Sequence, residues 1–200
     1  MLRRLFAVLL AIVILIIVVG FFLPRQVVVE RSLVIDQPAE VIFEVLQDFR
    51  HFRHWSPWFD RASADEVRLE GPPAGAGATL VWADESGSGG GRMWIVSVVP
   101  PRRIDLGLEL GEMEAEGYFR IDEAAGFGQE VSWGLVLEVG AFDLVGRYIG
   151  LMLPVLVGRD YQESLVRLSD YLDQAPGRVP DVAEPAHGRP SPQSSDPGLP

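Results

Sequence analysis

The sequence contains neither cysteine nor lysine, and these two absences exclude several classes of chemistry. All 17 basic residues of the 200-residue chain are arginine. Without cysteine there is no thiolate nucleophile, no CxxC redox pair and no cysteine metal site. Without lysine there is no Schiff-base or pyridoxal-phosphate lysine and no phosphate-loop lysine. A GC-rich coding bias explains the preference for arginine, and the exclusions hold under that explanation too.

The motifs of common catalytic and metal sites are also missing. The sequence has no G-x-S-x-G, no HExxH, no GxGxxG after a strand and no Walker signature. Asp48, His51 and His54 recur every three residues, but three-residue steps on a helix advance about 300° each, so the two ends of the set diverge by about 120°. We therefore predict no catalytic residue, no metal and no cofactor, and we place these three side chains at a surface helix end.

The longest uncharged run of the chain, residues 5–23, predicts a membrane helix. These 19 residues, LFAVLLAIVILIIVVGFFL, would span about 28 Å as a helix, close to the bilayer core of about 30 Å. A cleaved secretory signal is the alternative, but it has a shorter apolar core and ends in small residues. This run ends in Phe-Phe-Leu23, followed by Pro24 and Arg25, with no small-residue cleavage site of the Ala-x-Ala type. The sequence therefore predicts an uncleaved transmembrane anchor over residues 1–25.

The charges around this run predict which side of the membrane the rest of the chain occupies. Arg3, Arg4 and the terminal amine precede the run, whereas Arg25 follows it. Positive residues concentrate on the cytoplasmic side. We therefore predict a single-pass protein of the cell inner membrane with its soluble domain on the periplasmic or extracytoplasmic side, although Arg25 and Arg31 favour the opposite orientation.

The chain after the anchor is strongly acidic. Residues 26–175 contain 12 arginines and 25 acidic residues, a net charge of −13, against −11 for the whole chain. An acidic surface repels phosphate backbones and anionic lipid headgroups, so we expect no nucleic-acid partner. No feature indicates a particular protein partner. Residues 176–200 contain seven prolines, three glycines and no aromatic residue, which predicts a disordered tail.

The pattern of residues 26–175 predicts a single α+β domain. Residues 26–35 alternate and are rich in β-branched side chains, which favours a strand, and one or two short helices follow up to Pro57. Six further strands, separated by short Gly and Pro turns, must be antiparallel because a parallel crossover needs a dozen or more residues. These strands are predicted at residues 66–70, 78–84, 92–99, 103–110, 113–122 and 130–139.

The strand at residues 113–122 predicts an apolar and a charged face. Met113, Ala115, Gly117, Phe119 and Ile121 alternate with Glu112, Glu114, Glu116, Tyr118 and Arg120. The small Ala115 and Gly117 in the middle of the apolar face indicate either a cavity or a close-packed neighbour. The glutamates are interpreted as a solvent-facing surface.

A long apolar stretch at residues 142–172 predicts the helix that covers the sheet. Tyr161, Leu165, Leu168 and Leu172 form a stripe that faces the sheet. The first half is apolar nearly all round, and Pro154 predicts a kink there because proline lacks an N–H. This half has three open interpretations, which are a cavity lid, a membrane-contacting surface and a fully buried helix.

Several motifs together resemble the helix-grip fold of the START-like or SRPBCC superfamily, which includes polyketide cyclase/dehydrase-like proteins, and above all its bacterial membrane-anchored members. The similarity covers Val27 to Asp173, and its specific parts are Trp55-Ser-Pro-Trp58 and Gly146-Arg-Tyr-Ile-Gly150. Weaker landmarks are residues 31–35 with Pro38 and Val41, residues 75–78, 100–104 and 158–161. Pro154 and the proline-rich tail depart from the pattern.

The resemblance implies an antiparallel sheet wrapped around a long C-terminal helix, with a cavity that accepts a hydrophobic molecule. We therefore expect a membrane-anchored, non-catalytic binding or carrier domain for a hydrophobic small molecule or lipid. The alternative is a cyclase- or dehydratase-like enzyme that uses Tyr118, Arg120 or Tyr148, and a third hypothesis is an interaction module with an acidic face. The candidate ligand-binding residues are Trp55, Trp58, Trp82, Ala115, Gly117, Phe119, Trp133, Tyr148 and Met152.

Overall fold

The computed structural model of the chain describes residues 2–60, 67–82, 90–111 and 113–174. The predicted tail at residues 176–200 lies outside this range. The helices are α1 (Leu2–Phe22), α2 (Ala39–Leu46), α3 (Phe49–Trp55), α4 (Leu144–Gly150) and α5 (Leu153–Gln174), with a 3-10 turn at Pro57–Asp60. The strands are β1 (Gln26–Ile35), β2 (Val67–Glu70), β3 (Thr79–Trp82), β4 (Gly91–Val99), β5 (Arg103–Leu110), β6 (Met113–Glu123) and β7 (Gln129–Glu138).

The seven strands form one antiparallel sheet in the order β1-β7-β6-β5-β4-β3-β2. Strands β2 to β7 are neighbours in sequence and in space because short turns join them. The first strand then closes on the last, with Gln26 opposite Glu138 and Ile35 opposite Gln129. This α+β architecture, an antiparallel sheet with a long C-terminal helix, confirms the predicted fold class.

The alternation predicted for β6 is confirmed. Gly117, Phe119 and Ile121 are buried, whereas Glu114 and Glu116 are exposed. The pairing of β6 with β5 and β7 extends this division across the sheet, because opposed residues share a face. One face of the sheet therefore contributes to the core, and the other carries most of the charges.

Helix α5 covers β1 and β7 with the predicted stripe. Tyr161, Leu165 and Leu168 are completely buried, and Leu172 is almost so. The interruption predicted at Pro154 is present, because α4 ends at Gly150, four residues before Pro154, and α5 begins at Leu153 with Pro154 as its second residue. A first-turn proline costs nothing there because its missing N–H has no partner within the helix.

The N-terminal helix α1 is apolar and lies almost entirely outside the core. It contains a stretch, Arg3–Phe22, long and apolar enough to cross a membrane. Gly20 is its one buried residue among those whose side chains are described. Such a helix is either a membrane span or a signal sequence by length and composition.

Candidate functional site

The candidate site is an aromatic cluster between the sheet and α5, centred on Trp133 of β7. The Trp133 ring stacks on Tyr161 of α5 with centroids 4.0 Å apart and planes 9° from parallel. Phe119, Trp55 and Phe52 surround it with centroid distances of 4.9, 5.7 and 5.9 Å. These rings make the middle of the domain a continuous aromatic interior.

Three elements place these rings together. The register of the sheet sets Phe119 opposite Trp133 on the inner face. Helix α3 begins at the N-cap Asp48, whose carboxylate accepts from Arg50 N, and its buried face carries Phe52 and Trp55. Helix α5 then brings Tyr161 onto the sheet. The site therefore depends on residues distant in the sequence.

Trp58 and Trp82 extend the cluster toward the edge of the domain. Trp58 lies 5.9 Å from Trp133 and 6.4 Å from Trp82, measured between ring centroids. The indole N–H of Trp58 donates to Asp160 Oδ2 over 3.2 Å, which ties the 3-10 turn to α5. Both rings are half-buried. The structure thus brings together five of the predicted site residues, which are Trp55, Trp58, Trp82, Phe119 and Trp133.

Three polar atoms in this interior have no hydrogen-bond partner among the described residues. They are Trp55 Nε1, Trp133 Nε1 and the Tyr161 hydroxyl. Each belongs to a side chain that is at most 1% exposed. Burying a polar group without a hydrogen bond costs about 1 to 3 kcal/mol. The interior therefore offers two N–H donors and one hydroxyl to a polar group placed among the rings.

Electrostatically, the interior is neutral. Burial raises the pKa of Tyr161 well above its usual range, so its hydroxyl keeps its proton at neutral pH. Trp55 and Trp133 carry no charge at any pH. The cluster can therefore donate hydrogen bonds but contains no group that exchanges protons near neutrality.

The two small residues of β6 have different environments. A Cβ built on Gly117 would lie 2.8 Å from Leu108 Cδ1 and 3.3 Å from Leu106 Cβ. Neighbouring leucines on β5 therefore close over Gly117, which supports the close-packing alternative at that position. Ala115 is half-buried beside the core. Both residues also line an open groove of about 690 Å³ that runs past Trp94 and Tyr118.

Tyr148 and Met152 lie apart from the aromatic cluster. The Tyr148 hydroxyl donates to Ile16 O of α1 over 2.7 Å. Met152 is more than half exposed at the break between α4 and α5. Neither of these predicted site residues therefore joins the aromatic cluster, and Tyr148 contacts α1 instead.

Tyr118 and Arg120 lie on the outer face of the sheet. The Tyr118 hydroxyl donates to Glu30 Oε2, and the guanidinium of Arg120 lies 3.3 Å from Glu30 Oε1. Burial and the nearby Glu30 carboxylate raise the pKa of Tyr118. This network joins β1 to β6 across β7 and lies on the opposite side of the sheet from Trp133.

His51 and Asp48 are polar residues that the sequence placed wrongly at the surface. The clearer case is His51. It is 2% exposed, and its Nδ1 lies 2.9 Å from the Tyr171 hydroxyl of α5. Asp48 is also buried, so only His54 of the predicted surface set is exposed. Burial lowers the pKa of His51 against the opposing attraction of Asp48. The available signal was the aromatic residue Tyr171, which lies three positions after Leu168 and next to Leu172 of the α5 stripe.

Helix α1 is attached to the domain by a buried arginine. Arg147 Nη1 donates to Gly20 O, Phe21 O and Leu23 O over 3.0 to 3.4 Å, and Nη2 donates to Ala141 O over 2.6 Å. A Cβ on Gly20 would lie 3.2 Å from both Leu144 and Tyr148. The carbonyls at the end of α1 carry the negative end of its dipole, which a cation stabilises.

A family model described as polyketide cyclase / dehydrase and lipid transport matches residues 26–173. The chain belongs to this family. The match covers both the aromatic cluster and the Gly146–Gly150 segment, and it confirms the superfamily that the motifs resemble. No curated protein matches the chain.

Solved structures share the fold at low sequence identity. The di-domain ARO/CYC protein StfQ from the steffimycin biosynthetic pathway is 12% identical with a TM-score of 0.57, over 74% of this chain and 51% of StfQ. This chain thus spans about half of StfQ. Norcoclaurine synthase from Thalictrum flavum is 10% identical with a TM-score of 0.56, over 78% and 91% of the two chains. Protein MLL2253 from Mesorhizobium loti is 15% identical with a TM-score of 0.51, over 75% and 98%. These similarities establish the helix-grip-like fold.

Proposed function

We propose that this chain is a membrane-anchored carrier that holds a hydrophobic small molecule or lipid in its aromatic interior without changing it chemically. The observation that carries the proposal is the set of three buried polar atoms on Trp55, Trp133 and Tyr161. A hydrophobic molecule that enters among these rings and carries hydrogen-bond acceptors, such as ester or ketone oxygens, would pair with these atoms while its remainder contacts the rings. Ligand-binding sites in proteins are mostly apolar, with a few polar groups that fix the orientation of the ligand.

The contact between α1 and α4 supports an uncleaved anchor. Removing α1 would leave the buried guanidinium of Arg147 without three of its four acceptors. A buried charge that loses its partners is strongly destabilising. A cleaved signal peptide has no reason to supply such acceptors, so we propose that α1 stays attached and crosses the inner membrane, with the domain on the periplasmic side.

The test is the identification of molecules that co-purify with the full chain in detergent. Because α1 also binds surrounding lipid, the comparison needs a variant with the same anchor, and Tyr161→Phe removes only the interior hydroxyl. We expect mass spectrometry of wild-type extracts to show a hydrophobic molecule with a polar acceptor, near one per chain. Its affinity in the variant should fall about fivefold, which corresponds to one net hydrogen bond of about 1 kcal/mol.

The matched control is Tyr171→Phe, which removes a hydroxyl from the same helix outside the aromatic cluster. This variant should retain the molecule at the wild-type level. An extract that contains only the lipids of the membrane, in equal amounts for all three proteins, would contradict the carrier function. An added fluorescent fatty-acid or sterol probe that binds all three proteins equally would have the same meaning.

The alternative is a cyclase- or dehydratase-like enzyme that works in the same interior. Its specific support is the buried Tyr161 hydroxyl, which is able to donate a hydrogen bond to a substrate carbonyl. Tyr118, Arg120 and Tyr148 do not serve this role because their partners lie outside the interior. Incubation of the purified chain with the co-purified molecule, followed by mass spectrometry, decides between the two, since a carrier releases that molecule unchanged and an enzyme releases a product of altered mass or double-bond pattern.

A further inference from the structure

Residues 142–156, which we name the membrane foot, expose an unusual amount of apolar surface. Phe142, Val145, Ile149, Leu151, Met152, Val155 and Leu156 are each between 48% and 87% exposed. Only two residues of this segment are charged. Of these, Arg147 is buried against α1, and Asp143 caps α4 by accepting from Gly146 N over 2.8 Å. Contiguous apolar surface of this kind marks an interaction site.

The membrane foot is therefore not the fully buried helix that the sequence left open. It is also not loosely attached, because both of its helices are fixed to the domain. Gly150 packs so closely on β1 that a Cβ would lie 2.7 Å from Val27 Cγ2. The guanidinium of Arg31 donates to Pro154 O over 3.2 Å. The exposed apolar side chains are thus held in place on the side away from the sheet.

The position of the membrane foot relative to α1 indicates what covers it. The Tyr148 hydroxyl donates to Ile16 O, and Arg147 donates to carbonyls of residues 20, 21 and 23. Ile16 lies six residues before the end of α1, which is about 9 Å along a helix. Helix α4 therefore runs beside the last two turns of α1. If the end of α1 lies at the membrane surface, this position corresponds to the depth that an interfacial helix reaches, about 5 to 10 Å.

We infer that the membrane foot inserts into the leaflet at the C-terminal end of α1, where its exposed apolar side chains contact lipid acyl chains. The surface is continuous with the exposed apolar side chains of α1, and charged residues resume just outside it, at Arg25 after α1 and at Arg159 in α5. This inference rests on the proposed membrane anchor and adds a second, monotopic contact. Insertion of the membrane foot would place the start of α5 at the bilayer, and with it one end of the domain.

The absence of cysteine allows a direct test on the full chain. Spin labels are attached to single cysteines in Val145→Cys and Val155→Cys, and the protein is reconstituted into vesicles of phosphatidylethanolamine and phosphatidylglycerol. Collisions with oxygen, which concentrates in lipid, and with a water-soluble nickel complex report the depth of each label. Two matched variants calibrate the scale, Ile12→Cys in the middle of α1 and Phe127→Cys on the β6–β7 turn. Phe127 is 92% exposed at the far end of β7 from α1.

We expect the labels at Val145 and Val155 to resemble the one at Ile12, with frequent oxygen collisions and few nickel collisions. Nickel collisions at the level of Phe127, with Ile12 still in lipid, would overturn the membrane foot and leave the anchor intact. Labels shielded from both reagents, with spin–spin broadening between chains, would assign the surface to a second copy. An Ile12 label that is open to nickel would overturn both the anchor and the membrane foot, and the ligand experiment on Tyr161 would stand independently.

Discussion

Trp133 of β7 and Tyr161 of α5 stack face to face with ring centroids 4.0 Å apart, and each carries a buried polar atom without a partner among the described residues. The stack is one of the contacts through which α5 packs on the sheet, which it also meets along β1. The stack combines favourable packing with two unsatisfied groups, which lower the stability of the ligand-free domain and which the proposed carrier function would use to recognise a polar atom of the ligand.

Tyr161→Phe should raise the stability of the ligand-free protein. The phenylalanine keeps the stack on Trp133 and removes a buried hydroxyl that lacks a hydrogen bond, so we expect the free energy of unfolding to rise by about 1 kcal/mol. Urea denaturation of delipidated protein measures this. Tyr171→Phe, which loses the contact with His51 Nδ1, should instead be less stable than wild type by about 1 kcal/mol. A loss of stability in Tyr161→Phe would show that its hydroxyl has a partner.

Arg147→Met should release α4 from the end of α1. Methionine retains much of the apolar stem but leaves the carbonyls of Gly20 and Phe21 without their donor. Since hydrogen bonds to charged groups contribute about 1.5 to 3 kcal/mol, we expect a loss of about 3 kcal/mol in the unfolding of the domain in detergent micelles. The exposed Arg68, paired with Glu70, gives the control Arg68→Met. Its stability should stay within about 0.5 kcal/mol of wild type, and an equal loss in both variants would contradict the role of Arg147.

Stability should fall as the pH decreases through the range in which histidine titrates. Burial lowers the pKa of His51, so the unfolded chain binds a proton at a higher pH than the folded chain does. The unfolded state is then favoured as the pH falls below the ordinary histidine pKa of about 6.5. Urea denaturation between about pH 5 and pH 8 should show this slope in wild type and a weaker one in His51→Gln. The exposed His54 provides the comparison, and an unchanged slope in His51→Gln would assign the effect to other groups.

Gly117→Ala should destabilise the sheet. The added methyl group would approach Leu108 to 2.8 Å, so β5 must shift, at a cost of about 1 to 3 kcal/mol typical of overpacked cores. Thermal unfolding followed by circular dichroism is sufficient to detect it. If the variant is as stable as wild type or more so, empty space lies above Gly117, as the cavity interpretation of this strand proposed.

The sequence determined local structure and the order of elements. Alternation over residues 26–35 and 113–122 fixes strands because side chains on a strand point to opposite faces, and the short Gly and Pro turns leave only antiparallel neighbours. The stripe from Tyr161 to Leu172 likewise identifies the face of α5 that packs on the sheet. A single uncharged run as long as residues 5–23 can cross a bilayer only as a helix, because a helix pairs its backbone N–H and C=O groups within the segment itself.

Tertiary structure decided which residues meet. Spacing along one segment could not show that His51 is buried, because its cover comes from Tyr171, 120 residues later. Spacing also could not show that Arg147 and Tyr148 contact α1, because all seven strands of the sheet lie between α1 and α4 in the sequence. The periodicity of a segment predicts only which side chains are buried. The residues that they pack against depend on how elements distant in the sequence come together. In this protein, the aromatic interior and the membrane foot beside α1 are both formed by elements that are distant in the sequence, so only the tertiary structure shows them.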